Sequence, residues 1–293
     1  MSLMKVLVTG CNGYLGSYIC ERLISLNYEV CGIDLVGKQN PKVEQITGDF
    51  SQNDMFKTKI LDADWIIHLA AVSGVSSGEK NPEICVDVNI NKLSILLNYI
   101  RTHNSCVRFS FISTYDLYDE KHESLIDIGA MSSVYHYSKY CGEILCELFK
   151  NRYNLDIDII RPSILFGSND FSGPRVLDVF IRAALAGEPL RVSNPDQSLT
   201  FTCIEDIGSV LLARVHNDKK NNSLTPKNLV SPETYSLLEL AQLIKLKLNS
   251  ESQIFCRQKI INQRFVEKKK IPEILVSNID TTVSLVDWLG TIG

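Results

Sequence analysis

The sequence predicts an α/β protein: a doubly wound parallel sheet followed by a smaller C-terminal region. Three observations lead there. Short apolar runs alternate with amphipathic stretches as far as Arg161. The runs are apolar throughout instead of alternating, as strands buried on both faces are. The first junction between a run and a helix carries Gly10, Gly13 and Gly16, each separated from the next by two residues.

The elements follow in order. Lys5–Thr9 ("KVLVT") reads as a buried strand, residues 14–26 as a helix and Glu29–Asp34 ("EVCGID") as a second strand. Residues 65–71 ("WIIHLAA") form the next strand, followed by a helix near 82–102. Residues 107–113 are a strand, followed by a helix near 134–153, and "DIDIIR" (156–161) is a further strand. Strand–helix–strand repeats with right-handed crossovers wind a sheet in both directions from its first strand. After Pro162 the rhythm breaks. Residues 167–175 are rich in Gly, Ser, Asn and Asp, a helix follows near 176–186, and "NDKKNNSLTPKN" (217–228) is a surface connection. The expected division is a dinucleotide-binding domain over 4–165 and an interleaved, substrate-capping region over 166–293.

Composition narrows the function classes. The 293 residues carry a net charge of −4, and their longest block of like charge is Lys268-Lys269-Lys270. Nucleic-acid binding is therefore not expected. No apolar run reaches the roughly 18 residues of a membrane span, and the start lacks the basic and apolar segments of a signal peptide. Met1-Ser2-Leu3, ahead of Met4, reads as an appended leader. Nine cysteines lie scattered without a CxxC pair, and the five histidines lack zinc-site spacing. A reduced, cytoplasmic chain without disulfides or a metal is expected.

The glycine motif, "TGCNGYLGSY", has a physical reading. One glycine permits the sharp turn out of the strand, one lets the backbone approach a pyrophosphate, and one lets helix and strand pack closely. The segment Gly13-Tyr14-Leu15-Gly16 opens the helix, whose free N–H groups and dipole suit phosphate. Asp34 ends the next strand, at the spacing where an acid takes the adenosine ribose hydroxyls and repels a 2′-phosphate. These residues point to NAD in preference to NADP.

A second constellation is "SVYHYSKYCGE". Tyr135 and Lys139, four apart, share a helix face, whereas Tyr137 lies about 200° around from Tyr135. An ammonium beside a phenol favours phenolate and lowers its pKa, which suits a general base or acid at a carbinol carbon.

Together, TGxxGxxG, a strand-ending Asp, "HLAA", a hydroxyl residue after the next strand and YxxxK resemble the extended short-chain dehydrogenase/reductases. The chain is most similar to their NAD-dependent epimerase/dehydratase branch, over about residues 4–216. The resemblance implies a Rossmann-type sheet, NAD as cofactor and a sugar or nucleotide sugar as substrate. It also implies roles. Gly10, Gly13, Tyr14, Leu15 and Gly16 would hold the pyrophosphate, and Asp34 the ribose. Asp49 and Phe50 ("GDF") would border the adenine, and Leu69, Ala70 and Ala71 would line the cofactor path. Asn89 would orient strand and helix about the site. Thr114 would hydrogen-bond the substrate oxygen, Tyr135 would move its proton, and Lys139 would bind the nicotinamide ribose and depress the pKa of Tyr135. A homodimer is implied through the helices near 82–102 and 134–153, with Ile84, Val88, Ile95, Tyr99, Leu145 and Leu148 as apolar surface.

Three departures qualify the substrate. Family 4,6-dehydratases carry Thr-Asp-Glu where this chain has Thr114-Tyr115-Asp116, and a tyrosine is a poor proton donor to a leaving hydroxyl. Ile164 stands where nucleotide-sugar enzymes have a substrate-gripping Asn. Leu199 stands where they have an Arg that clamps the diphosphate, although Asp206 is retained. Arg175, Arg182 or Arg191 are candidates to replace it. The expected activity is sugar epimerisation by transient hydride transfer, the alternatives being an NAD-dependent reductase or dehydrogenase and a non-catalytic dinucleotide sensor. In "FISTYDLYDE" (111–120), Thr114 is the expected catalytic hydroxyl, Tyr118 is structural, and Asp119 and Glu120 face water.

Overall fold

The computed structural model describes residues 3–37, 40–117, 133–168, 170–215, 226–231, 233–256, 259–260 and 283–292. The expectations for Tyr118, Asp119 and Glu120 lie outside them.

The chain divides into two compact units, Met1–Arg161 with Leu211–Asn228, and Pro162–Val210 with Leu229–Gly293. In the first unit the strands are β1 (Lys5–Thr9), β2 (Glu29–Asp34), β3 (Glu44–Thr47), β4 (Trp65–His68), β5 (Arg108–Ile112) and β6 (Asp156–Pro162). Its helices are α1 (Tyr14–Ser25), α2 (Asp54–Ile60), α3 (Val75–Lys80), α4 (Pro82–Val86), α5 (Leu93–His103) and α6 (Val134–Tyr153). A π-helical turn, Asp87–Lys92, joins α4 to α5, and a 3-10 turn, Tyr115–Leu117, follows β5. The second unit contains β7 (Ile164–Phe166), α7 (Val176–Leu185), β8 (Leu190–Val192) and β9 (Ser198–Cys203). Helix α8 (Ile204–Val215) and β10 (Lys227–Leu229) run across the division, and β11 (Thr234–Ser236), α9 (Leu237–Lys247), β12 (Ile254–Cys256), β13 (Lys259–Ile260) and α10 (Leu285–Leu289) complete the chain.

The main sheet has the order β10-β6-β5-β4-β1-β2-β3. Strands β1 to β6 pair in parallel, with Thr9 opposite both Ile33 and His68. This is the doubly wound order, and its direction reverses between β1 and β4, where such sheets bind ligands. Apolar strands dictate the arrangement: Val6, Val8, Trp65, Ile66, Ile67 and Phe109 are fully buried. Leu93, Leu97 and Ile100 of α5 and Cys146 and Phe149 of α6 pack into the same core.

The return of Leu211–Asn228 to the first unit is tied by charge. Arg214 on α8 pairs with Asp156 and, at 2.6 Å, with Asp158 on β6, and all three are buried. Arg214→Met should therefore destabilise the protein by about 3–5 kcal/mol, because it takes the nearest counter-charge from two buried carboxylates and leaves Asp156 with Arg108 at 3.6 Å. Urea unfolding measures this, and a loss below about 1 kcal/mol would contradict it.

The second unit has two small sheets, β11-β9-β7 and β13-β12-β8. Its core joins Phe166, Phe180, Phe201, Leu240, Ile244 and Trp288.

Candidate active site

The β1–α1 turn fits a dinucleotide. Gly10 has φ +71°, and a Cβ there would come within 2.8 Å of the Ala70 backbone N. A Cβ on Gly16 would lie 2.0 Å from the Gly10 carbonyl oxygen, so only glycine lets α1 start this close to its own turn. Gly13 is the exposed N-cap of α1. This end has no side-chain cap and no acid in its first turn, whereas α2, α6 and α9 are capped by Asn53, Ser133 and Ser236. The open N–H groups and positive dipole end suit an anion. Tyr14 and Leu15 form the first turn behind Gly13, with Leu15 buried in the core.

Asp34 ends β2 beside this turn. Its Oδ2 accepts the Asn12 N–H at 3.0 Å and its Oδ1 the Val36 N–H at 3.2 Å, which leaves lone pairs on both oxygens. The Asn12 side chain donates to the carbonyls of Val36 and Gly37 and so ties the glycine turn to the end of β2. Asn12 has no signal in the sequence beyond lying within the glycine motif. The residues present thus fit NAD: a cradle that a Cβ would fill, and a carboxylate with free acceptor capacity.

Thr9 closes the floor at the reversal point. Its buried hydroxyl accepts the N–H groups of Leu69 and Ala70 at 3.2 and 3.1 Å and meets His68 Nδ1 at 2.8 Å. Burial, with Lys139 adding to it, pushes the His68 imidazole down to about 3, so it stays neutral. Leu69, Ala70 and Ala71 lie beyond β4, which ends at His68, and are half-buried. Asp49 accepts from Ser51 and pairs with Lys92 at 2.8 Å. Burial opposes its ionisation, but the Lys92 and Ser51 hydrogen bonds outweigh it and hold the carboxyl below its usual value. Phe50 packs into the core, edge-on to His68.

Asn89 lies buried in the π-helical turn. Its Oδ1 accepts the Val72 N–H at 2.9 Å, and its Nδ2 donates to the Val72 carbonyl and, at 2.8 Å, to Ser138 Oγ. It therefore joins the loop after β4 to α6. Ser138, which sequence reasoning passes over, is fully buried and donates in turn to the Tyr135 carbonyl at 2.8 Å.

Tyr135 and Lys139 share the buried face of α6, and Tyr137 points outward, 43% exposed. Lys139 Nζ donates to the Ile112 carbonyl at 2.8 Å, at the end of β5. Burial pulls its ammonium down to about 8, against an opposing pull from Glu143. Tyr135 departs from expectation. Burial raises its phenol well above 10, and the Asp116 charge raises it further, while hydrogen bonds with the Thr114 side chain and the Gly74 backbone act the other way. The depression expected from Lys139 is thus not seen; helical spacing gives a shared face, but burial sets the sign. The structure brings Thr114 and Tyr135 together, and Thr114 also donates to Asp116 Oδ2 at 3.2 Å.

In the second unit, Leu199 is buried in the apolar core and Ile164 packs against it. Arg175 is held by Asp178 at 2.7 and 2.8 Å, and Arg182 donates to the carbonyls of Phe171 and Gly173. Arg191 is exposed, its guanidinium 5.8 Å from the centre of the Phe255 ring.

Comparison with known proteins agrees with this geometry. The uncharacterized UDP-glucose epimerase YtcB of Bacillus subtilis is 32% identical over 225 residues, covering 69% of this chain and 70% of that protein. A UDP-glucose 4-epimerase of Thermotoga maritima, solved with UDP-glucose, superposes with a TM-score of 0.79 at 21% identity, covering 98% of this chain and 96% of that one. A UDP-glucuronic acid 4-epimerase of Bacillus cereus, solved with UDP-glucuronic acid and NAD, has a TM-score of 0.79 at 24% identity and the same two coverages. These two share the fold. Residues 6–228 match the model of the NAD dependent epimerase/dehydratase family. With its glycine turn, its strand-ending Asp34 and its tyrosine–lysine helix, the chain belongs to that family of NAD-dependent enzymes.

Proposed function

We propose that the protein is a nucleotide-sugar epimerase that works by transient hydride transfer at Thr114, Tyr135 and Lys139. One observation carries this reading: Tyr135 and Lys139 share the buried face of α6, with Lys139 tied to the end of β5 two residues before Thr114, in a chain whose glycine turn fits NAD. Gly10, Gly13 and Gly16 hold the pyrophosphate at the start of α1, and Asp34 takes the ribose hydroxyls. Asp49 and Phe50 border the adenine, and Leu69, Ala70 and Ala71 line the path to the reacting end. When bound, NAD supplies the hydride acceptor and donor. Thr114 orients the substrate oxygen, Tyr135 takes its proton and returns it, and Lys139 holds the nicotinamide ribose. The relatives' UDP-sugar activities support a nucleotide sugar. Tyr115 is buried in the position of a dehydratase acid, which argues against loss of water. Leu199 lies in the apolar core, and of Arg175, Arg182 and Arg191 it is Arg191 that is exposed and has no carboxylate or carbonyl partner among the described residues.

The test is to incubate the protein and NAD with UDP-glucose, UDP-galactose and UDP-glucuronic acid, following nicotinamide absorbance and product stereochemistry. An altered sugar without net NADH is expected. Net NADH would mark a dehydrogenase or reductase, and tight NAD binding with no turnover would mark a sensor.

The assembly we propose is a homodimer through α4, α5 and α6, in the cytoplasm. Ile84, Ile95, Ile144 and Leu148 are exposed on these helices, whereas Tyr99 and Leu145 pack inward against the core. Exposed large apolar groups on neighbouring helices suit a second copy of the same face. All nine cysteines are free, in keeping with a reducing compartment, and no described helix is long and apolar enough to cross a membrane. Leu148→Glu should convert the dimer to monomer in sedimentation velocity; a wild-type protein that is monomeric at micromolar concentration would overturn the dimer.

A further inference from the structure

We propose that Lys92 is a positioning residue of the cofactor site: its ammonium holds the Asp49 carboxylate with one acceptor position free, and so makes the protein select a 6-aminopurine dinucleotide over the 6-oxo analogue. It rests on reading Asp49 as the border of the adenine. Asp49 lies two residues beyond β3, at the carboxyl ends of the parallel strands, where such sheets bind ligands. Thr47 pairs with Asp34 in the ladder, and the Gly48 N–H donates to the Asp34 carbonyl at 2.8 Å. Asp49 is thus set close to the acid that ends β2 beside the glycine turn.

A carboxylate offers about four acceptor positions. Asp49 Oδ1 accepts the Ser51 N–H at 2.9 Å and the Ser51 hydroxyl at 2.7 Å, which fills it. Oδ2 lies 2.8 Å from Lys92 Nζ and keeps its second lone pair, with no other partner among the described residues. The side chain is 25% exposed, so a ligand can reach it. Lys92 is aimed by the π-helical turn. Asp87 and Lys92 are five residues apart, which on an α-helix would turn them about 140° from each other. The π turn, bonded from i to i+5, brings them onto one face, and Nζ lies 3.2 Å from Asp87 Oδ2. Two carboxylates therefore fix the ammonium, one on its own turn and one beyond β3. From the same turn Asn89 reaches Val72 and Ser138. One irregular turn thus aims Lys92 at Asp49 and Asn89 at the helix of Tyr135.

An ionised carboxylate is an acceptor only. The 6-amino group of adenine can give the free Oδ2 position an N–H. The 6-oxo group of hypoxanthine would set its own lone pair against it. The bond gained in one case and the repulsion met in the other separate the two bases by about 10–100-fold, because a hydrogen bond to a charged acceptor is among the strong ones. Lys92 is what keeps that acceptor in place. Without it Oδ2 has no protein partner, and the carboxylate is free to turn its open oxygen away from the base.

Calorimetric titration with NAD and with nicotinamide hypoxanthine dinucleotide tests this without turnover. The wild type should bind NAD about 10–100-fold more tightly than the analogue. Lys92→Met should cut that ratio about fivefold or more, and Lys92→Arg, which keeps the cation, should hold it within about threefold. Asp87→Asn, which touches the same ammonium but not Asp49, should leave the ratio within about twofold. In the double variant Asp49→Asn with Lys92→Met the preference should reverse. The two Ser51 donors keep the amide oxygen at the Oδ1 position, so the NH2 takes the place of Oδ2 and donates to the 6-oxo group. A merely structural Lys92 would weaken both dinucleotides equally in Lys92→Met and leave the ratio unchanged. That result, a wild type that binds the two alike or one that binds neither would overturn the proposal, even in a protein that epimerises UDP sugars. A ratio that falls with Lys92 in a protein that turns over none of the UDP sugars would leave the proposal standing and sink the epimerase reading instead.

Discussion

Tyr135→Phe is expected to lose about 10²–10⁴-fold in kcat, the usual contribution of a positioned acid or base. The ring stays, so the packing of α6 against the sheet is kept; what goes is one buried oxygen. That oxygen works only while a proton moves, so KM for substrate and the affinity for NAD should change little. Stability should fall by no more than about 1 kcal/mol, the net worth of an ordinary hydrogen bond. The pH dependence has a definite sign. Burial, then the Asp116 charge, keeps the phenol protonated well above its usual range. At neutral pH the group therefore stands as the acid, and its base form is scarce. The rate of the proton-abstracting direction should rise with pH in the wild type and be flat in the variant. Tyr137→Phe, on the exposed side of the same helix, is the control and should match the wild type. A Tyr135→Phe enzyme within threefold of wild type would remove the phenol from the chemistry.

Much of this site is legible in the sequence because its signals are local. The glycine spacing, the strand-ending Asp34 and the shared face of Tyr135 and Lys139 depend on nothing distant, and α6 spans Val134–Tyr153 as its pattern indicates. The losses have physical causes. The expected helix near 82–102 is interrupted at Asp87–Lys92, where Asn89 turns its amide to Val72 and Ser138, partners remote in sequence. Strand β3 and helix α2 are short and half-exposed, so no apolar run announces them. The sign of the Tyr135 shift depends on burial, which spacing alone does not contain. Asp116, noticed in the sequence only as a leftover acid, acquires meaning from its bond to Thr114.

Lys139→Met should separate stability from activity. Lys139 is buried, and burial lowers its ammonium from 10.5 to about 8. Keeping it charged at pH 7 therefore costs the fold about 3 kcal/mol, since each pKa unit is about 1.4 kcal/mol. Methionine has a similar length and no charge to desolvate. Its substitution leaves the Ile112 carbonyl without the 2.8 Å bond from Nζ, a loss of about 1–3 kcal/mol. The two nearly offset, and the balance is a variant as stable as the wild type at pH 7 or more stable by about 1–2 kcal/mol. The direction with pH follows from the shift. The unfolded chain holds the lysine proton up to about 10.5 and the folded one only to about 8. The penalty is thus complete below pH 8 and fades as pH rises from 8 towards 10.5, so the advantage of the variant should shrink over that window. Activity should move the other way: without an ammonium for the nicotinamide ribose, kcat/KM should fall at least about 100-fold, and NAD affinity with it. Chemical denaturation at pH 7 and pH 9, beside NAD titration, measures both effects. A variant that lost several kcal/mol at pH 7 would show that Lys139 stabilises the fold. The stability of the wild type would then no longer be limited by the residue its chemistry requires.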